Sequence, residues 1–225
     1  MGTIGPDGQV KLLQSAVAVV GAGGLGGTTI ELLARQGVGH ILIIDNDRFT
    51  EQNLNRQIMC TEMNLGEHKA LVAARRVNQI NSDIKVTALV KKLTQENAIA
   101  LLKGAAIVVD GLDNLPSRII VEKACRKLGI PFIYGTIAGF SGQMMTIYPE
   151  DKGLASIFGP NGSYPDQGIE MKIGTPSATP AMVAAWQVQE VIKIITGVGR
   201  PLRNHILLLD AIEGAIDKIE LGGGE

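Results

Sequence analysis

The run Ala16-Val17-Ala18-Val19-Val20 leads directly into Gly21-Ala22-Gly23-Gly24-Leu25-Gly26-Gly27, and this junction constrains the fold more than any other stretch of the chain. Short, apolar and β-branched, the run has the composition of a strand buried on both faces. Thr28 to Arg35 then carry apolar residues at helical spacing, so strand, glycine turn and helix follow in order. In that order Gly21 serves the tight turn, Gly23 lets a phosphate approach the backbone, and Gly26 lets helix and strand pack closely. The helix N-terminus then faces the anion. A second apolar run, Ile41 to Ile44, ends in Asp45, about twenty residues on, where a carboxylate can hold ribose hydroxyls. A glycine turn alone occurs in many contexts, but this succession marks a nucleotide site.

Strand and helix keep alternating as far as Tyr134. Helices are expected near Glu67 to Ile80, Gln95 to Leu102 and Ser117 to Leu128, and strands at Val86 to Val90, Ala106 to Val109 and Pro131 to Tyr134. This alternation implies an α/β fold with a Rossmann-like, doubly wound, mostly parallel sheet. One more strand is expected at Gln143 to Tyr148. Residues Pro149 to Pro180 are rich in Gly, Pro, Ser and Asn without a sustained period, which reads as a long loop or lid. A helix from about Ala181 to Ile195 precedes two short strands, His205 to Leu209 and Ala215 to Glu220, that close the sheet antiparallel. The 225 residues are expected to form one domain, 1–225, with a flexible tail at 221–225.

Composition narrows the functional classes. A formal net charge of −1 supplies no basic field for nucleic acid. No apolar stretch reaches the roughly 18 residues of a membrane span, and the N-terminus has no basic segment ahead of an apolar core. The expectation is a cytoplasmic protein. Cys60 and Cys125 stand far apart with no C-x-x-C, which argues against both a disulfide framework and a zinc ribbon. His40, His68 and His205 are scattered and lack metal-ligand spacing.

The polar stretch between Asp45 and Lys69 holds most of the chemistry. Asn53-Leu54-Asn55-Arg56-Gln57 offers a guanidinium and amides able to grip phosphates. Lys69, at the start of the next helix, can reach an α-phosphate that gains charge in a transition state. Asp110 and Asp113 follow a strand at the carboxyl edge of the sheet, where open α/β proteins bind ligands. A carboxylate there suits Mg²⁺, which takes one or two carboxylates together with phosphate oxygens. Taken singly, Arg56 and Lys69 read more readily as surface cations, and Asp110 and Asp113 could cap the following helix; it is their conjunction in register that points to a site.

In this order, Gly-Ala-Gly-Gly-Leu-Gly, Asp45-x-Asp47, Asn53-x-x-Arg56-Gln57, Lys69 and Asp110-x-x-Asp113-Asn114, the chain resembles the ThiF/MoeB/HesA family of ubiquitin-activating-like adenylyltransferases. The resemblance extends to the Ile4-Gly5-Pro6-Asp7-Gly8-Gln9 lead-in, Ala138 to Gln143 and Gln189 to Lys193. It implies that Gly23 and Gly24 lie against the phosphates of ATP, that Asp45 holds the ribose, and that Asn53, Arg56 and Lys69 bind and polarise the triphosphate. Gln57 and Asn114 fall within the same nucleotide-binding set, and Asp113 would hold Mg²⁺. It further implies activation of the C-terminal glycine carboxylate of a small ubiquitin-fold sulfur-carrier protein as an acyl-adenylate, with release of pyrophosphate, by a homodimer.

The departures from the family pattern are equally informative. Relatives commonly hold a structural zinc on two C-x-x-C pairs, whereas Gly153 to Pro160 and everything after Cys125 lack cysteine, so no zinc is expected. The crossover-loop thiol that some members use is missing too, so chemistry is expected to stop at the adenylate unless Cys60 or Cys125 substitutes. An Arg-rich N-terminal segment of many relatives is likewise not found ahead of Met1-Gly2-Thr3. Two other classes fit the residues less well: an adenylyltransferase for a small-molecule carboxylate, and a non-catalytic nucleotide-binding scaffold. A nicotinamide-dependent oxidoreductase would leave the phosphate-gripping cations unexplained.

Overall fold

β1 (Ala16–Val20) lies at the centre of the sheet, paired in parallel with β2 (His40–Ile44) on one side and β4 (Ile107–Asp110) on the other. β3 (Lys85–Leu89) extends the sheet beyond β2 and β5 (Phe132–Ala138) extends it beyond β4, both in parallel. From there β6 (Ser141–Ile147), β7 (His205–Asp210) and β8 (Ala215–Glu220) add on antiparallel, giving the order β3-β2-β1-β4-β5-β6-β7-β8. This computed structural model describes residues 2–159 and 174–221.

Helices cover both faces because the central strands are apolar on both. Val17, Val19, Ile41 and Ile43 point into one layer with Ile30 and Leu33 of α2 (Gly24–Gln36) and Val77 of α3 (Lys69–Ile80). α1 (Gly5–Leu13) contributes Leu12 to the same layer. Ala18, Val20, Leu42 and Ile44 point into the other, with Leu102 of α4 (Ala98–Leu102) and Val121, Ala124 and Cys125 of α5 (Leu115–Leu128). The short α6 (Ala155–Phe158) lies on that second side, whereas α7 (Ala178–Thr196) joins the first through Val183, Val188 and Val191. Each such aliphatic side chain stabilises the fold by roughly 1.5–3 kcal/mol on burial.

The expected alternation is therefore present, with five local differences. α1 is additional; Gly5 and Gly8 interrupt any apolar period there, and the helix is anchored instead by buried Leu12. α4 is shorter than expected, because Thr94 to Asn97 form a turn in which the Asn97 side chain accepts the Thr94 amide at 2.8 Å. β5 runs on through Gly135 and Thr136 to Ala138, drawn out by its antiparallel pairing with β6. α7 begins at Ala178 and takes Pro180 in its first turn, where a missing N–H costs nothing. α6 interrupts the expected 149–180 loop; residues 160–173 of that loop and 222–225 of the expected tail lie outside the described residues. Among the described residues, no helix is long and apolar enough to cross a membrane.

Connections from β1 and β4 wind outward in opposite directions, so the strand order reverses between them and a crevice opens at their carboxyl ends.

Candidate active site

Three glycines close the floor of that crevice. Gly21 has φ +92, in the left-handed region, and a Cβ there would fall on the Gly111 carbonyl. A Cβ on Gly26 would strike the Gly21 carbonyl oxygen, and one on Gly111 would lie 2.9 Å from the Gly26 Cα. The end of β1, the first turn of α2 and the end of β4 therefore meet backbone to backbone. Gly23 and Gly24 are different. An added Cβ on Gly23 meets only the Gln57 side chain, at 3.6 Å, and one on Gly24 meets the Arg56 carbonyl at 3.2 Å and Pro180 at 3.4 Å. Gly23 caps α2 without a side chain, leaving first-turn N–H groups and the positive end of the helix dipole at the crevice.

Asp45, at the end of β2, ties this turn to the next stretch of chain. Its Oδ2 accepts the Ala22 amide at 2.7 Å and its Oδ1 accepts the Asp47 amide at 2.7 Å. Burial pushes the carboxyl above its ordinary pKa, against the opposing pull of those amides and of Lys69. Lys69 is buried at the first position of α3, and its Nζ reaches the exposed Asp47 carboxylate at 3.2 Å. Ala22, Asp45, Asp47 and Lys69 thus form one connected chain of contacts.

The Asn53–Gln57 segment closes over the glycine turn from the other side. Asn53 is buried, and its Oδ1 accepts both the amide and the hydroxyl of Thr50, at 3.0 and 3.3 Å, so it braces its own turn. Arg56 is half-buried; its Nη1 donates to the Gln52 carbonyl and the Asn55 side chain, and among the described residues it makes no ion pair. Gln57 is buried, and among the described residues its Oε1 has no hydrogen-bond partner. A buried amide oxygen without a partner is costly unless a ligand or water satisfies it, and the Nε2 of the same amide is the group that faces Gly23.

Beyond β4, the two carboxylates take different roles, and neither caps α5. Asp110 is fully buried, whereas Asp113 is exposed and accepts from Asn114 Nδ2 at 3.0 Å. The cap is Asn114, whose Oδ1 accepts the Ser117 amide at 2.9 Å. The structure thus brings the glycine turn, Asp45, Asn53, Arg56, Gln57 and Lys69 to one side of the crevice and places Asp113 and Asn114 two and three residues beyond Gly111.

The match to the ThiF family model spans residues 1–223. The chain belongs to the ThiF family. It is 36% identical over 225 residues to a sulfur carrier protein adenylyltransferase of Thermus thermophilus, covering 96% of this chain and 82% of that one. It is 34% identical over 222 residues to the SAMP-activating enzyme E1 of Haloferax volcanii, covering 97% and 81% respectively. Among solved structures, E. coli MccB with ATP superimposes with a TM-score of 0.83 at 26% identity, over 97% of this chain and 67% of that one.

Two thiols are available to this ThiF-family chain, and both are buried. Burial raises the pKa of Cys60, whose Sγ points to the Thr50 carbonyl, and pushes that of Cys125, in the α5 core, up to about 12. His40 bonds Thr87 and His205 bonds the Arg203 carbonyl, and among the described residues no group of three His, Cys, Asp or Glu gathers to hold a metal. Sequence reasoning missed two residues under the crevice, Arg118 and Gln187. Gln187 is fully buried in α7; its Nε2 donates to the carbonyls of Asp110 and Ile133, at 3.0 and 3.2 Å, and its Oε1 accepts from Thr29 at 3.4 Å. The signal was there to read, since Gln187 shares a helical stripe with Val183, Ala184, Val188 and Val191.

Proposed function

We propose that the chain is an ATP-dependent adenylyltransferase that activates the C-terminal glycine carboxylate of a small ubiquitin-fold sulfur carrier. The observation that carries this reading is the meeting of three groups at the glycine turn: the Asp45 carboxylate on the Ala22 amide, the Gln57 side-chain amide beside Gly23, and Lys69, tied to the same chain of contacts through Asp47. The substrate class rests on what the relatives from T. thermophilus and H. volcanii are named for.

The phosphates lie against the α2 N-terminus at Gly23 and Gly24, a placement supported by Gly23 having only the end of the Gln57 side chain near it, and the spare lone pairs of Asp45 receive the ribose. The carrier carboxylate attacks the α-phosphorus in line, a phosphorus–oxygen bond forms, and the bond to the bridging oxygen breaks to release pyrophosphate. Lys69 and Arg56 oppose the negative charge gathering on the phosphoryl oxygens. Asp113 fits Mg²⁺: an exposed carboxylate at the crevice edge is the kind of single protein ligand that suits an ion otherwise held by phosphates and water. When bound there, Mg²⁺ would neutralise triphosphate charge.

Neither buried thiol is poised to receive the acyl group, so the reaction ends at the acyl-adenylate. With only two cysteines in the chain, the reading includes no structural zinc of the four-cysteine type. It also takes residues 1–225 as one catalytic unit, acting in the cytoplasm as a homodimer.

The test is Mg²⁺-dependent ATP–pyrophosphate exchange with Gly-Gly-ended carriers and with a panel of small carboxylic acids. Carrier-dependent exchange is expected. It should fall at least about 100-fold in Lys69→Ala and Asp113→Asn, with circular dichroism unchanged. Exchange driven by a small acid alone would reassign the substrate, and near-normal exchange in either variant would remove that residue from the mechanism.

A further inference from the structure

Arg118 is one of several buried charged residues that the proposed mechanism gives no task. Arg118, on the first turn of α5, is buried directly beneath the segment that carries Asp113. Its Nε donates to Asp110 Oδ2 at 2.8 Å, and its Nη2 donates to the Leu112 carbonyl at 2.5 Å and the Gly135 carbonyl at 3.3 Å. Asp110 completes the arrangement: its Oδ1 accepts the Leu112 amide at 2.9 Å and its Oδ2 the Gly135 amide at 3.3 Å. Both polar atoms of the Leu112 backbone are therefore held by one buried ion pair, and Leu112 immediately precedes Asp113.

The residue on the other side of Leu112 is held as firmly. Gly111 donates its amide to the Val20 carbonyl at 2.8 Å and is pressed against Gly21 and Gly26. Asn114, following Asp113, is fixed as the cap of α5 and donates to the Asp113 carboxylate. Asp113 itself is exposed, so its own side chain does little to fix its position. Burying a carboxylate and a guanidinium is seldom justified by stability alone, because desolvation offsets most of their attraction. Here the pair does what an apolar pair could not, which is to bond both backbone atoms of one loop residue.

We infer that Arg118 is a positioning residue: through Asp110 and the Leu112 backbone it sets where Asp113 presents its carboxylate to the divalent cation of the nucleotide complex. The inference rests on the adenylyltransferase reading and adds to it a residue that touches neither nucleotide nor metal. Arg118→Lys keeps a positive charge for Asp110 but gives up the planar fork that reaches Asp110 and Leu112 together.

The experiment compares wild type, R118K, D113N and R118K/D113N in three measurements. In nucleotide-free protein, hydrogen exchange at the Leu112 amide is expected to quicken about tenfold in R118K, while amides of β1 and β2 stay protected. With a non-hydrolysable ATP analogue present, Mn²⁺ binding read by electron paramagnetic resonance is expected to weaken about tenfold in R118K, as for loss of an outer partner of a metal ligand. Affinity for the analogue in EDTA is expected to stay within about twofold of wild type. If Arg118 acts through Asp113, adding R118K to D113N weakens Mn²⁺ no further. Unchanged Mn²⁺ affinity in R118K, or a loss that adds fully to that of D113N, overturns the inference. Should R118K fail to fold, the charge-free pair D110N/R118Q makes the same comparison. A wild-type protein that binds no nucleotide would overturn the adenylyltransferase reading as well, whereas tight metal–nucleotide binding that R118K leaves unaltered would overturn this inference alone.

Discussion

Two glycines three residues apart in the same turn carry opposite burdens, and substitution separates them. A methyl on Gly26 lands on the Gly21 carbonyl, and neither backbone can move away without prising α2 from β1. Gly26→Ala should therefore cost at least about 3 kcal/mol in urea unfolding. Gly23 has a negative φ and an ordinary van der Waals distance to Gln57, so Gly23→Ala should cost less than about 1 kcal/mol. Its methyl would instead stand where the phosphates are proposed to pack, and nucleotide affinity should fall about tenfold or more by calorimetry, a loss of about 1.4 kcal/mol. Equal destabilisation by the two substitutions would show that Gly23 is structural. At this scale residue type directed attention to the right stretch of chain: the glycines, Asp45 and Lys69 belong to one connected neighbourhood, and the Arg56 backbone lies against Gly24. Residue type was less informative where a side chain serves its own backbone. Asn53 also braces its own turn through its oxygen on Thr50, which residue type did not announce, and Asp110 reads as a helix cap but is the buried partner of Arg118.

The site depends on α2 and α3 holding their N-termini at one edge of the sheet, and a single carboxylate clamps the two helices. Glu31 of α2 is buried, accepts Arg35 of its own helix at 2.7 Å, and accepts Arg76 of α3 at 2.8 and 2.9 Å. The hydrogen bonds from Arg76 first, then those from Arg35, hold its pKa below the ordinary carboxylate value despite burial. A lowered folded pKa means that the stabilisation is complete above the unfolded value and is lost as pH falls through the folded one. Glu31→Gln should thus cost about 1–2 kcal/mol at neutral pH, near the lower end for charge-assisted bonds because Arg76 is 42% exposed. The difference from wild type should shrink as unfolding is measured further into acid, and a difference independent of pH would show that charge plays no part. Strands and helices were legible here because burial on both faces gives continuous apolar runs and one-sided helices. α1 was not, since Gly5 and Gly8 are poor helix formers and break its apolar period. Arg118 shares the apolar face of α5 with Val121 and Cys125 at spacings of three and seven, so the place of a buried cation was visible; its partner, eight residues back on β4, was not.

On the scale of the whole molecule, the two cysteines report from opposite sides of one sheet. Cys60 belongs to the layer that contains α2 and α3, Cys125 to the layer that contains α4 and α5. Both layers are built on alternate residues of the same strands, so neither can dissolve while the other persists. Pulsed thiol labelling across a urea gradient should expose both at the same midpoint, and earlier exposure of Cys60 would reveal a separately unfolding half. The same architecture bears on how the chain is made. Val17 pairs with Ile41 on one side but with Ile107 on the other, a partner synthesised long afterwards. Emerging from the ribosome, the first three strands can assemble with α2 and α3 while the inner edge of β1 stays open, an apolar ribbon awaiting β4. The crevice proposed to hold the nucleotide is the seam where that late partner arrives, so it cannot form until β4 is made, and the open edge of β1 is where an interrupted chain would stick to another.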